Sequence, residues 1–331
     1  MTKPYLRNLV LLPAAAVVLA ASPAWAEKAT GQFERTLTVT GAVDLDVQTG
    51  SGHIIVRPGE SNHVRIIGKI EARSDDWWGG GKLDPQEKVR RIEANPPIEQ
   101  NGNSIRIGRI EDKELQRNVS IHYEIEVPAE TALKARTGSG HQEVTGIRGP
   151  VSSSSGSGHL KISDIGGTVD ADTGSGHIEL SRIKGTVTAE TGSGHITADG
   201  VPGPFAASTG SGSVTVDLSV PGSVEITTGS GGVEVSGARG SVRISTGSGS
   251  IRVDGEPTEG WKLSTGSGSI NVRVPSNSAF ELAARSHSGT VRTSHPVTVL
   301  GTVKRNELRG PVRGGGPTLQ LETGSGSITI D

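Results

Sequence analysis

Thr173-Gly174-Ser175-Gly176-His177-Ile178-Glu179-Leu180-Ser181-Arg182-Ile183-Lys184-Gly185-Thr186-Val187-Thr188-Ala189-Glu190 is one unit of a pattern that fills most of the chain. Its opening tetrapeptide recurs with first residues Thr137, Ser155, Thr173, Thr191, Thr209, Thr228, Thr246 and Thr265, at steps of 18 or 19 residues. Outlying copies begin at Thr49 and Thr323, and a degenerate one reads Ser286-His287-Ser288-Gly289. A fixed period this short is the signature of stacked coils. Two alternating segments lie within the unit, Ile178 and Leu180 in the first and Val187 and Ala189 in the second, separated by turns that contain glycine. Each coil is therefore expected to hold two short strands.

Stacking places equivalent residues in columns about 4.8 Å apart, the spacing of hydrogen-bonded strands. Ile178 is expected between Leu160 and Ile196, and Val187 beside Val169 and Val151. A tight reversal in every coil asks its glycines for positive φ or close backbone approach. The marker Thr and Ser residues are expected to form hydroxyl ladders from coil to coil. The fold class that follows is all-β: a single-domain β-solenoid, parallel β-helix-like, right-handed on strand-crossover chirality.

Outward from the repeat, residues 27–134 read as N-terminal coils with an insert and cap, and residues 135–331 as the regular repeats with closing coils. Asp84-Pro85-Gln86-Glu87 is a helix start, with Asp as cap and Pro at the first helical position, and the helix ends before Pro96-Pro97. Ile98 to Ile110 reads as a hairpin turned at Asn101-Gly102, and Val119 to Val127 as an alternating strand. The insert is expected to protect the first coils from end-to-end strand addition, and the last copy, Leu319 to Asp331, to close the stack.

Residues 1–26 carry Lys3 and Arg7, an apolar run from Leu9 to Ala21, and Ala24-Trp25-Ala26. This is the pattern of a secretory leader with its cleavage site, so the mature chain is expected in the periplasm or at the cell surface, soluble and without a membrane span. Its removal takes the formal charge from -2 to -4, which gives nucleic acid nothing to bind. The chain has no cysteine, which excludes a lipid-anchored lipoprotein, thiolate zinc sites and cysteine nucleophiles. With 48 glycines and 3% aromatic residues, a thin core repeated along an axis fits better than one large core.

The strand Tyr123-Glu124-Ile125-Glu126-Val127-Pro128 is followed by Leu133-Lys134-Ala135-Arg136-Thr137-Gly138-Ser139-Gly140, and a second Val274-Pro275 precedes the closing Leu319-Gln320-Leu321-Glu322-Thr323-Gly324-Ser325-Gly326-Ser327-Ile328. Over nearly the whole mature chain this series resembles the bacterial "putative adhesin" family, domain of unknown function 4097. The resemblance implies a β-solenoid of the cell envelope with an adhesive role and no catalytic residues to carry over. Members of that family often have Asp after Gly-Ser-Gly, whereas this chain has His and later Ser.

Four histidines, His141, His159, His177 and His195, follow the marker in successive coils. Neighbouring imidazoles at strand spacing offer either a shared metal or an exposed stack of rings, and no carboxylate or Cys completes a ligand set at a recognisable spacing. Protonation would put like charges in a row, which predicts loosening below about pH 6. The second candidate is the loop Asp75-Asp76-Trp77-Trp78. Its tryptophans suit stacking on sugar rings or anchoring a protein partner, with the acids bonding hydroxyls, or else capping of the solenoid edge.

A calcium β-roll is disfavoured because Ile178 falls where its ligand Asp must stand. The left-handed hexapeptide helix fails because positions 178, 184 and 190 are Ile, Lys and Glu. No Gly-x-Ser-x-Gly elbow or phosphate-cradling loop is present, and Asp170 and Asp172 are expected on the outer face. The function read from the chain is a non-catalytic envelope module that binds polysaccharide or surface protein and needs no cofactor. The competing class is a polysaccharide lyase or hydrolase on a β-helix scaffold, for which a groove with clustered acids and a base would speak.

Overall fold

A computed structural model of the chain describes residues 28–74, 83–299 and 304–331. The leader and the loop Asp75-Asp76-Trp77-Trp78 lie outside the described residues. Among the latter are 28 strands and two helices, and the strands form two sheets of 14 strands each. Every regular coil gives one strand to each sheet, as the unit from Thr173 shows: Ile178–Ile183 joins one and Val187–Thr191 the other. The β-solenoid is therefore present as two parallel sheets facing each other across a thin core.

Register follows the period. Leu160 pairs with Ile178 and Ile178 with Ile196, while Val151, Val169 and Val187 form the facing column. Inward positions are buried and their neighbours exposed, so each coil adds a few apolar side chains to one continuous core. Gln142 is a polar residue that enters this core with its bonds made. It occupies the column of Ile54 and Leu160, accepts from Ser153 Oγ (2.7 Å) and donates to the Ser154 carbonyl (2.6 Å).

The marker works differently from a hydroxyl ladder. Thr173 Oγ1 donates to the carbonyl of Gly158 in the preceding coil (3.0 Å) and accepts the N–H of Gly176 in its own (3.2 Å). Ser155, Thr191 and Thr209 likewise donate to Gly140, Gly176 and Gly194. The hydroxyls are buried, and each staples two coils through backbone rather than through another hydroxyl. The glycines of the marker are needed for close approach: a Cβ on Gly176 would sit 1.8 Å from the Gly158 carbonyl oxygen. In the regular coils positive φ belongs instead to the other turn, where Gly146, Asp164, Arg182 and Gly200 stand one coil apart; of the marker glycines only Gly326, in the last copy, has it.

The N-terminal end carries the insert. Lys28–Thr38 and His63–Arg73 extend one sheet as antiparallel strands, joined to it through Val119–Val127, which runs parallel to Ile54–Pro58, and the hairpin Ile98–Asn101 with Ser104–Ile107 extends the other. Helix α1 (Pro85–Ala94) packs on the first two of these with Val89 and Ile92 buried, so it closes the open end of the core. Asp84 stands at the N-cap position but its side chain makes no cap bond, whereas Glu87 pairs with Arg90 and Arg91 (3.1 and 2.7 Å).

At the other end the order in space departs from the order in sequence. Thr318–Ser325 lies between Trp261–Ser267 and Phe280–Ser288, and Ile328–Ile330 lies between Ile270–Arg273 and Val291–Thr293. The last copy is thus the penultimate coil. The stack is closed instead by the coil from Phe280, whose outer edge is covered by antiparallel Glu307–Val312. Ser286 of the degenerate marker donates to the Gly326 carbonyl (2.7 Å), so the staple is kept despite the rearranged order. Among the described residues no helix is long and apolar enough to cross a membrane.

Candidate functional site

The residue after each marker sits where one strand begins, and its backbone carbonyl takes the ladder bond from the preceding coil, as in Ile178 N–H to His195 O (3.0 Å). Its own N–H then needs an acceptor outside the ladder. The imidazole of the preceding coil supplies it: His177 N–H donates to His159 Nδ1 (3.1 Å), His195 N–H to His177 Nδ1 (3.0 Å), and Ser213 N–H to His195 Nδ1 (3.0 Å). An Nδ1 that accepts carries no proton, so the tautomer this geometry uses has its proton on Nε2.

The column is longer than the four expected members. His141 N–H donates to His53 Nδ1 (3.0 Å), and His53 N–H to His122 Nδ1 (3.1 Å). Six rings follow one another in the order His122, His53, His141, His159, His177 and His195. The last three stack with centroids 4.9 and 5.1 Å apart, and His53 lies 4.8 Å from His122. His53 directly follows the marker at Thr49, so the repeat itself signals it. His122 belongs to no marker, and only the pairing of Val119–Val127 with Ile54–Pro58 brings it there. Burial first, and the adjacent rings second, hold His122 and His141 below the ordinary imidazole range.

With Nδ1 engaged in this way, Nε2 is the nitrogen left to a ligand on each accepting ring. Among the described residues no group of three or more His, Asp or Glu is arranged to hold a metal ion. In later coils Ser213, Ser250 and Ser269 take the position, with Gly232 in the coil between the first two, and Ser269 N–H donates to Ser250 Oγ (3.3 Å). His and Ser share one property here, a side-chain acceptor within reach of the next coil's N–H.

The outward columns carry charge pairs between coils. Arg136 bonds Asp46 (2.7 Å), Arg182 bonds Asp164 (2.7 Å), Arg148 bonds Glu130 (3.0 Å) and Arg273 approaches Asp254 (3.4 Å). Cross-strand pairs of this kind are worth a few tenths of a kcal/mol each, roughly 0.2–1. Asp170 and Asp172 are exposed on the outer face, as alternation requires. Between coils, the column Asp170, Thr188, Ala206, Glu225, Arg243 and Lys262 runs unbroken along one sheet. A shallow groove of about 320 Å3 lies along it, bordered by Thr188, Glu225, Arg243 and Lys262.

A flat, two-sheet stack with a stapled Thr-Gly-Ser-Gly turn is now defined, and residues 167–331 match the family model described as Toastrack DUF4097. The chain belongs to this family over that stretch. The Toastrack coils continue upstream in the same register as far as Val43–Thr49 and Ile54–Pro58. Three solved structures are similar to this Toastrack chain at low identity. A "putative cell adhesion protein" from Clostridium sporogenes ATCC 15579 is 12% identical, with 91% of this chain and 99% of that one covered at a TM-score of 0.25. A "putative adhesin" from Bacteroides fragilis NCTC 9343 is 12% identical, covering 91% and 97% at 0.34. A "putative lipid binding protein" from Parabacteroides distasonis ATCC 8503 is 13% identical, covering 91% and 96% at 0.39. No curated protein matches the chain.

Proposed function

We propose that this chain is an exported, non-catalytic module of the cell envelope that binds a glycan or a protein surface along its outer faces. The observation that carries the reading is the column from Asp170 to Lys262, in which one position faces outward in every coil and is polar in every coil but that of Ala206. A ligand that repeats along its own length meets a row of regularly spaced positions on such a face, and weak contacts in series add by multivalency. The facing sheet offers a second shallow groove of about 340 Å3 bordered by Thr215, Glu234, Arg252 and Asn271. The leader supports export. Asp75, Asp76, Trp77 and Trp78 are the residue types that would add a sugar-stacking or partner-anchoring contact to these faces.

Catalysis on the same scaffold would draw on Asp172 and Glu190, which are register neighbours on the exposed face. Ser154 and Ser208 flank them in the column, so the pair stands on an open face rather than in the enclosed acid-and-base groove that glycoside cleavage needs. This supports binding over turnover. The test is a glycan array run beside a hydrolase and lyase screen on the same polysaccharides. Retention without new reducing ends or unsaturated products is expected; product release at the rate of a polysaccharide enzyme would sink the reading. In the same assay, Trp77→Ala with Trp78→Ala is expected to weaken retention while leaving the melting temperature in place, and a collapsed fold would assign the pair to capping.

A further inference from the structure

At the N-terminal end, where the insert meets the first regular coils, a cavity of about 410 Å3 opens beside the first marker. Its apolar wall is Ile110, Val119 and Ile121, and Tyr123 and Arg136 also line it. Two donors in this lining have no partner. The Tyr123 hydroxyl is buried without a hydrogen bond in a residue that is only 1% exposed, and Arg136 Nε is buried in the same condition. A buried donor left unmade costs roughly 1–3 kcal/mol, so a native cavity that holds two of them is built for something that accepts.

The charge in the cavity is already balanced. Arg136 Nη2 lies 2.7 and 2.9 Å from the two oxygens of Asp46, which compensates the guanidinium without using Nε. Burial pushes the pKa of the Tyr123 phenol up, so it stays neutral and keeps its proton to donate. The group that answers both donors is therefore a neutral carbonyl oxygen rather than a carboxylate or phosphate. The hydrocarbon wall asks for a small apolar substituent beside that carbonyl, and Gln48 and Gln116, which also line the space, suit ring hydroxyls. The volume lies near the lower end of the ~300–1,000 Å3 typical of small-molecule sites, enough for one sugar ring with its substituents.

We propose that this cavity is a binding site for the acetamido group of an N-acetylated amino sugar, with Tyr123 and Arg136 Nε donating to its carbonyl and Val119 and Ile121 packing its methyl. The choice of a sugar rests on the glycan reading above, whereas the cavity and its unpartnered donors do not. The site is local to the insert and would seize one residue of a chain, where the outer columns would hold many.

The experiment titrates the full chain with N-acetylglucosamine, glucose and glucuronate by calorimetry and saturation-transfer NMR. N-acetylglucosamine is expected to bind at least tenfold more tightly than either of the others. Tyr123→Phe keeps the ring and removes only the unpartnered hydroxyl, so the fold is expected to melt no lower while affinity falls at least tenfold. Val119→Phe, which fills the space, is expected to abolish binding, with retained circular dichroism showing that the coils persist. Equal affinity for glucose, preference for glucuronate, or binding indifferent to Tyr123→Phe each overturns the proposal. Retention of polymers on the array with no affinity for the free acetamido sugar would defeat this site and leave the outer-face reading standing; the reverse result would do the opposite.

Discussion

Mild acid is expected to loosen the solenoid through its histidine column. Five backbone N–H groups donate to imidazole Nδ1 atoms, those of His53, His141, His177, His195 and Ser213. Protonation turns each accepting nitrogen into a donor facing a donor and places cations at ring separations near 5 Å, such as the 4.9 Å between His159 and His177. At ~1 kcal/mol per net hydrogen bond the ceiling is about 5 kcal/mol. Four of the five accepting rings are exposed, so water replaces part of what is lost, and about 2 kcal/mol is the working expectation. The sign follows from His122 and His141, whose folded values are depressed: the unfolded chain binds protons first, so their stabilisation is complete above an unfolded value of about 6.5 and is lost as pH falls through the lower folded values. At roughly 2–4 °C per kcal/mol, melting is expected about 4–8 °C lower at pH 5 than at pH 7.5. Calorimetric melts of the parent and of a variant in which His53, His122, His141, His159, His177 and His195 are all replaced by Ser measure this, since Ser is the acceptor used in later coils. An unchanged melting temperature in the parent, or an equal fall in that variant, would refute the reasoning.

Three further outcomes test the fold. Thr173→Val removes the hydroxyl between Gly158 O and Gly176 N–H and is expected to cost about 1–3 kcal/mol in denaturant melts, whereas Thr173→Ser, the residue found at Ser155, is expected to cost under ~1. Asp84→Ala is expected to change stability by less than ~0.5 kcal/mol, because the side chain makes no cap bond; a loss near the ~1 kcal/mol of a working cap would show that the bond forms in solution. Ending the chain at Pro317 removes two strands from inside the stack, so Phe280–Ser288 loses its parallel neighbour and limited proteolysis is expected to cut from residue 275 onward. A cleavage pattern confined to the new terminus would contradict the strand order.

Much of the fold is legible from residue spacing because a solenoid is nearly one-dimensional. The 18–19-residue step gives the coil, the alternation of Ile178, Leu180, Val187 and Ala189 gives the two strands, and their register partners follow. The chemistry within the turn is less legible. Thr-Gly-Ser-Gly signals a buried hydroxyl column, but whether that hydroxyl meets another hydroxyl or a glycine carbonyl depends on how deeply the turn folds inward, which composition does not encode. Asp84 shows the same limit: it has the cap residue's identity and backbone position without the bond.

What the sequence by itself determined is the repeating framework: two strands per coil, one thin core, one histidine per early coil and one marker per coil. Each rests on contacts between residues one period apart, and a period is visible in a string of letters. Tertiary structure alone decided what does not repeat. It brought His122 into a column with His53, set the last copy inside the stack rather than at its end, and left the Tyr123 hydroxyl and Arg136 Nε without partners beside one cavity. In each case the partners come from segments joined by long, irregular connections, whose path is chosen by which sheet edge remains open and which hydrogen bonds remain unmade once the regular coils have stacked.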